Sequence, residues 1–73
     1  MNLKEYKIKV GTVLYDTDEG YKEYGVVIDE RVEKDYGSII YKVYWYGLRT
    51  REDYYKTVLE STIRMGRYEV IVV

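Results

Sequence analysis

The stretch YKVYWYGLRTREDYY, Tyr41 to Tyr55, decides how this 73-residue chain is read. In its first half Tyr41, Val43 and Trp45 fall on one side of an extended segment and Lys42, Tyr44 and Tyr46 on the other, the two-residue period of a β-strand. Carried back to Ser38, the run SIIYKVYWY adds Ile39 to the first set and Ile40 to the second, and it is the strongest strand in the chain. The first face holds the only tryptophan and is the expected core, because with no phenylalanine present large apolar volume must come from tyrosine and tryptophan. The second face turns the rings of Tyr44 and Tyr46 outward, an aromatic patch of the kind that marks interfaces.

Past Gly47 two readings compete. With Thr50 as N-cap, Asp53 at the third helical position and Gly66 as the stop, residues 51–65 form a helix with Tyr54, Tyr55, Val58, Leu59 and Ile63 at helical spacing. A hairpin turning at Gly47 instead makes Arg51 to Val58 a fourth strand followed by a short helical turn, and β-branched Thr57, Val58, Thr62 and Ile63 favour it. The hairpin is preferred, and an antiparallel sheet with one helix is the alternative.

Working outward, Glu5 to Val10 alternates with Tyr6, Ile8 and Val10 on one side, as a strand requires. Beyond Gly11 the apolar Val13 and Tyr15 fall on odd positions, which implies a bulge or bend that switches the face. DTDEG, Asp16 to Gly20, is a polar turn, and YGVVIDERV follows as a strand with Val26, Ile28 and Val32 on one face and Val27, Asp29 and Arg31 on the other. EKDYG, Glu33 to Gly37, turns the chain into the tyrosine-rich strand, and RYEVIVV ends it as a last strand. Its apolar EVIVV is expected to close the sheet against the first strand, with dimerisation as the alternative.

Composition agrees with a strand-rich fold. Valine, isoleucine, threonine, tyrosine and tryptophan supply 33 of the 73 residues, and alanine and glutamine are absent. The length suits one domain over residues 1–73, with a core too small to leave much stability margin. Without cysteine or histidine there is no disulfide framework, no zinc ligand set and neither of the commonest catalytic bases and nucleophiles, so a non-enzyme without cofactor or metal is expected. DTDEG does not rescue a calcium site, since its glycine comes one position early and the twelfth position is Val27. Twelve basic against thirteen acidic side chains remove the global positive field of a non-specific nucleic-acid binder. No apolar run reaches the length of a membrane span, and the N-terminus lacks the apolar centre of a signal peptide, so a soluble, cytoplasmic protein is expected.

Taken together, VGTVLY, YGVVIDE and YKVYWYG resemble the first three strands of a small SH3-like barrel, as in Tudor and chromo-type modules and short phage proteins. The resemblance covers about Val10 to Leu59, with Tyr54 or Tyr55 and Leu59 matching a tyrosine-bearing fourth strand and a short helical turn. It implies an all-β, five-stranded barrel that binds in the groove between its first and third loops, which makes Tyr21, Tyr24, Tyr46 and Tyr54 candidates. Where many of these proteins carry an acidic residue before the turn glycine, this chain has Tyr46.

The expected function is a binding module, viral or from a mobile element and so in the host cytoplasm if viral, that contacts a protein through Tyr44, Tyr46, Arg49 and Arg51 with Tyr24 and Tyr54. Arginine beside tyrosine is the pairing most enriched at binding hot spots, although Glu52 and Asp53 follow at once and are expected to blunt the positive field. A nucleic-acid-binding barrel is the second reading, and a structural or virion subunit that acts by assembly is the third. The chain is expected to be a monomer or a homodimer.

Overall fold

The computed structural model describes residues 7–73. These form β1 (Val13–Asp16), β2 (Tyr24–Val32), β3 (Ile39–Trp45), β4 (Thr50–Tyr55), α1 (Lys56–Arg64) and β5 (Tyr68–Val72). All neighbours are antiparallel in one five-stranded sheet of order β4-β3-β2-β1-β5. The mostly-strand fold is therefore the one expected, and the last strand does pair with the first.

Three expectations about strand faces need correction. Glu5 and Tyr6 lie outside the described residues, and Lys7 to Val10 are not strand: Ile8 is buried, while Val10 is exposed at a turn. Gly11, at φ +100°, sits in that turn, which Thr12 N–H closes on the Lys9 carbonyl at 3.0 Å. Because the turn occupies several residues and is not a one-residue bulge, the inward parity is kept. Ile8, Thr12, Leu14 and Asp16 are buried, and Val13 and Tyr15 face outward.

On β2 the buried residues are Gly25 and Val27, whereas Val26 is half-buried and Ile28 and Val32 are exposed. The consecutive apolar residues Val26, Val27 and Ile28 leave both faces open to a periodicity argument. What selects the phase is Gly25, where a Cβ would stand 2.6 Å from the Trp45 ring, so only glycine lets β2 lie against that tryptophan. Ile28 is then an extra residue between the pairs Val27–Val43 and Asp29–Lys42, a bulge that bends the strand and resets its alternation.

After Gly47 each sequence reading holds in part. The hairpin forms, with Thr50 paired to Trp45 and not capping a helix, but β4 stops at Tyr55 and residues 56–64 are helical. No side chain caps the start of α1, so tertiary packing must hold it. Leu59 and Ile63, one turn apart, are buried against the sheet, each burial worth roughly 1.5–3 kcal/mol. Val58, assigned to the strand by the hairpin reading, is instead an exposed helical residue.

The core lies between α1 and the inner sheet face: Ile8, Leu14, Val27, Tyr41, Val43, Trp45, Leu59, Ile63 and Tyr68. Tyr41, Val43 and Trp45 are there as the alternation required. Tyr41 keeps its buried hydroxyl satisfied by donating to the Ile8 carbonyl at 2.9 Å, and burial, with Glu30 and Glu60 adding to it, pushes its pKa up.

Candidate functional site

Register places the proposed contact residues. Antiparallel partners share a face, so the pairs Tyr15–Tyr24, Val13–Val26, Val26–Tyr44 and Tyr44–Arg51 lay one continuous strip across the outer side of β1 to β4. Within it Tyr15 and Tyr24 pack at 4.8 Å between ring centroids, and Tyr44 meets Tyr46 edge to face at 5.0 Å. Tyr46 is tied to Tyr24 through its backbone N–H, which donates to the Tyr24 carbonyl at 3.0 Å. The Arg51 guanidinium lies 5.7 Å from the centre of the Tyr44 ring, within cation–π range. Tyr24 and Tyr46 are more than half exposed, at 53% and 58%, so their rings are presented and not stored.

The same alternation sorts the charges of the RTRED run. Arg51 points to the outer face; Glu52, opposite Val43, points to the inner side; Asp53 returns outward but pairs with Arg31 at 2.9 Å. That hydrogen-bonded ion pair holds the Asp53 carboxyl below the ordinary aspartate range. The expected blunting of the arginine field by Glu52 and Asp53 therefore does not occur through direct contact. Further along this face Tyr55 donates to Glu33 at 3.1 Å, and that bond raises the Tyr55 pKa. The outer sheet thus has an aromatic end with a cation and an end of mutually paired charges.

Tyr54 and Tyr21 belong elsewhere. With Trp45, Tyr68, Leu48, Asp16, Glu23, Glu52 and Arg67 they line a cleft of about 200 Å³ on the inner side, bounded by the β1–β2 loop and the β3–β4 turn. Trp45 donates its indole N–H to Tyr54 Oη at 2.9 Å, and the Tyr54 and Tyr68 hydroxyls are 3.5 Å apart, so a run of polar contacts joins the two edge strands. Burial, then the bond to Tyr54, raises the Tyr68 pKa far above the usual tyrosine value. Glu23 is buried and accepts the Leu48 N–H at 3.0 Å, fixing the β3–β4 turn. Asp16, also buried, accepts Arg67 Nε at 3.0 Å, while the same guanidinium lies 5.7 Å from the Tyr21 ring centre and 5.8 Å from that of Tyr68.

Of the six proposed contact residues, Tyr24, Tyr44, Tyr46 and Arg51 come together. Arg49 stands exposed in the adjoining turn at φ +56°, and Tyr54 is on the opposite side. The groove candidates divide likewise, Tyr21 and Tyr54 into the cleft and Tyr24 and Tyr46 onto the outer face. Sequence reasoning missed Tyr15, because the face switch assumed at Gly11 sent it inward, and it discounted Arg67 without finding its partner, since Asp16 lies 51 residues away in the chain. Among the described residues no group of three or more acidic side chains is arranged to hold a metal ion. No helix of the described residues is long and apolar enough to cross a membrane. The chain matches no family model, and neither a curated protein nor a solved structure matches it significantly.

Proposed function

We propose that this chain is a small non-enzymatic binding module, an SH3-like barrel serving as an accessory protein of a virus or mobile element in the cytoplasm, and that it acts by protein contact through Tyr24, Tyr44, Tyr46 and Arg51. The observation that carries this is the outer strip itself: four tyrosines, counting Tyr15, and an arginine within cation–π range share one sheet face, with Tyr24 and Tyr46 more than half exposed. Rings of this kind offer large contact area at small entropic cost, and with arginine they dominate binding energetics where partners meet. The barrel reading is supported by the pairing of β1 with β5 and by the Trp45–Tyr54–Tyr68 contacts between the edge strands. The non-enzymatic reading is supported by a sequence with neither histidine nor cysteine.

Glu52 and Tyr21 favour a second reading for the cleft. The Arg67 guanidinium already neutralises Asp16 and Asp18. The exposed Glu52 on the same lining, in no ion pair among the described residues, with the Tyr21 ring supports a partner's basic side chain as the chemistry suited to that groove. One experiment separates the surfaces. A photo-crosslinking aromatic residue is placed at Tyr46, at Tyr54 or, as a control, at Lys34, and adducts formed in the source cell are identified by mass. Adducts unique to Tyr46 support the outer face, adducts unique to Tyr54 transfer the function to the cleft, and none above the Lys34 control overturns the protein-contact reading.

A further inference from the structure

Taking the protein-contact reading of the outer face as its premise, we infer that the partner presents an acidic segment whose carboxylates meet Arg51 and Arg49 while its apolar residues cross the tyrosines. Charge complementarity carries this. Among the described residues Arg31, Arg67 and Lys22 have carboxylate partners, but Arg49 and Arg51, the two cations at the aromatic end, have none. Their sequence neighbours Glu52 and Asp53 are removed from reach, one by strand alternation and the other by Arg31. Arg51 also lies within cation–π range of Tyr44, at 5.7 Å, and its side chain makes no hydrogen bond within the described residues, which leaves its N–H donors for a bidentate carboxylate.

The face is polarised as well. At its far edge Glu69 stands opposite Tyr15, exposed, so one direction across the strip runs from guanidinium through rings to carboxylate. A nucleic-acid strand, charged at every phosphate, would meet two cations at one edge and an acid at the other, a poor match to a backbone that needs several cations along its path. A protein segment acidic at one end and neutral or basic at the other fits.

The test pans a random 12-residue peptide display library against the full chain and maps enriched peptides on it by NMR. Expected peptides carry Asp or Glu beside apolar residues, shift the amides of Tyr24, Tyr44, Tyr46 and Arg51, and bind at least tenfold more weakly to Arg51→Glu, while Arg64→Glu, on the exposed helix, keeps the parent affinity. Peptides that map to this face without acidic enrichment, or that bind Arg51→Glu as well as the parent, overturn the acidic segment and leave the face standing. Peptides that shift only cleft residues overturn the face reading itself. A twelve-nucleotide oligothymidine that displaces the peptides from the face at equal concentration replaces the inference with nucleic acid.

Discussion

Two groups of aromatic rings in this molecule look alike by ring geometry and differ in everything else. Inside, Trp45 and Tyr68 pack at 5.1 Å and Tyr54 meets Tyr68 edge to face at 6.2 Å; outside, Tyr15–Tyr24 and Tyr44–Tyr46 pack at 4.8 and 5.0 Å. The inner hydroxyls and the indole N–H bond one another, whereas the outer tyrosine hydroxyls have no hydrogen bond within the described residues. Ring contact therefore does not separate structure from display. Satisfaction of the polar end does: a ring whose hydroxyl is bonded inside the protein holds strands together, and one whose hydroxyl is left to water is available to a partner.

The largest expected effect tests that division directly. Trp45→Ala should cost about 3–5 kcal/mol in urea denaturation, because it empties a nearly fully buried site and removes a bonded indole. Tyr46→Ala should stay within about 1 kcal/mol, as exposed substitutions do. Equal losses would mean that the outer rings are structural too, and the proposed function would lose its ground.

Alkaline pH probes the inner group by linkage. Burial holds Tyr68 and Tyr41 above the ordinary tyrosine range, so as pH rises both ionise first in the unfolded chain and the folded state retains more protons. Stability is then intact below a pH of about 10 and falls above it, by up to about 1.4 kcal/mol per pH unit for each group. Urea midpoints at pH 8, 10 and 11 should show the decline, and Tyr68→Phe should flatten it. A parent profile that stays flat would place these hydroxyls in water.

Gly25 comes next. An added Cβ would overlap the Trp45 ring at 2.6 Å and Val43 at 2.9 Å, so Gly25→Ala should cost about 1–3 kcal/mol. Gly20→Ala, with only the Asp18 carboxylate at 3.5 Å, should fall well below that. If both substitutions cost the same, the close approach of β2 to the tryptophan is not what sets the strand's phase.

That phase marks the limit of what the sequence makes legible. β3 could be read at once, because its alternation is unbroken and its inner face holds the bulkiest side chains. β2 could not be phased, since three successive apolar residues fit either face and the deciding contact pairs Gly25 with a tryptophan 20 positions on. The switch from β4 to α1 at Tyr55 was hidden for a related reason: β-branched residues argue for strand locally, but Leu59 and Ile63 repay helix only once a sheet lies beneath them. On the outer site, Tyr44 and Tyr46 follow from alternation alone, whereas Tyr24 entered through the resemblance to SH3-like barrels and Arg51 through its place in the loop beside the patch. Tyr15 needed the structure of the Gly11 turn, and the charge sorting of Arg51, Glu52 and Asp53 needed the strand that one of two sequence readings supplied. Arg67 over Tyr21 could not be found locally, because its contacts join chain ends that only folding brings together.

The smallest expected effect is the sharpest statement of the comparison, because it changes one oxygen atom in each group. Tyr54→Phe removes the acceptor of the Trp45 indole N–H and the neighbour of the Tyr68 hydroxyl while leaving the ring in place. It should cost about 1 kcal/mol, the net worth of one such bond, with the upper end of that range reached if the indole is left unpaired. Tyr44→Phe, which removes a hydroxyl with no bonded partner among the described residues, should shift the urea midpoint by less than a third as much. The two substitutions remove the same atom from the same residue type, so area, volume and helix or strand propensity nearly cancel, and the difference reads out polar satisfaction by itself. Should the two prove equal, the inner contacts would be incidental, and the link between Tyr54 on β4 and Tyr68 on β5 would have to rest on ring packing alone.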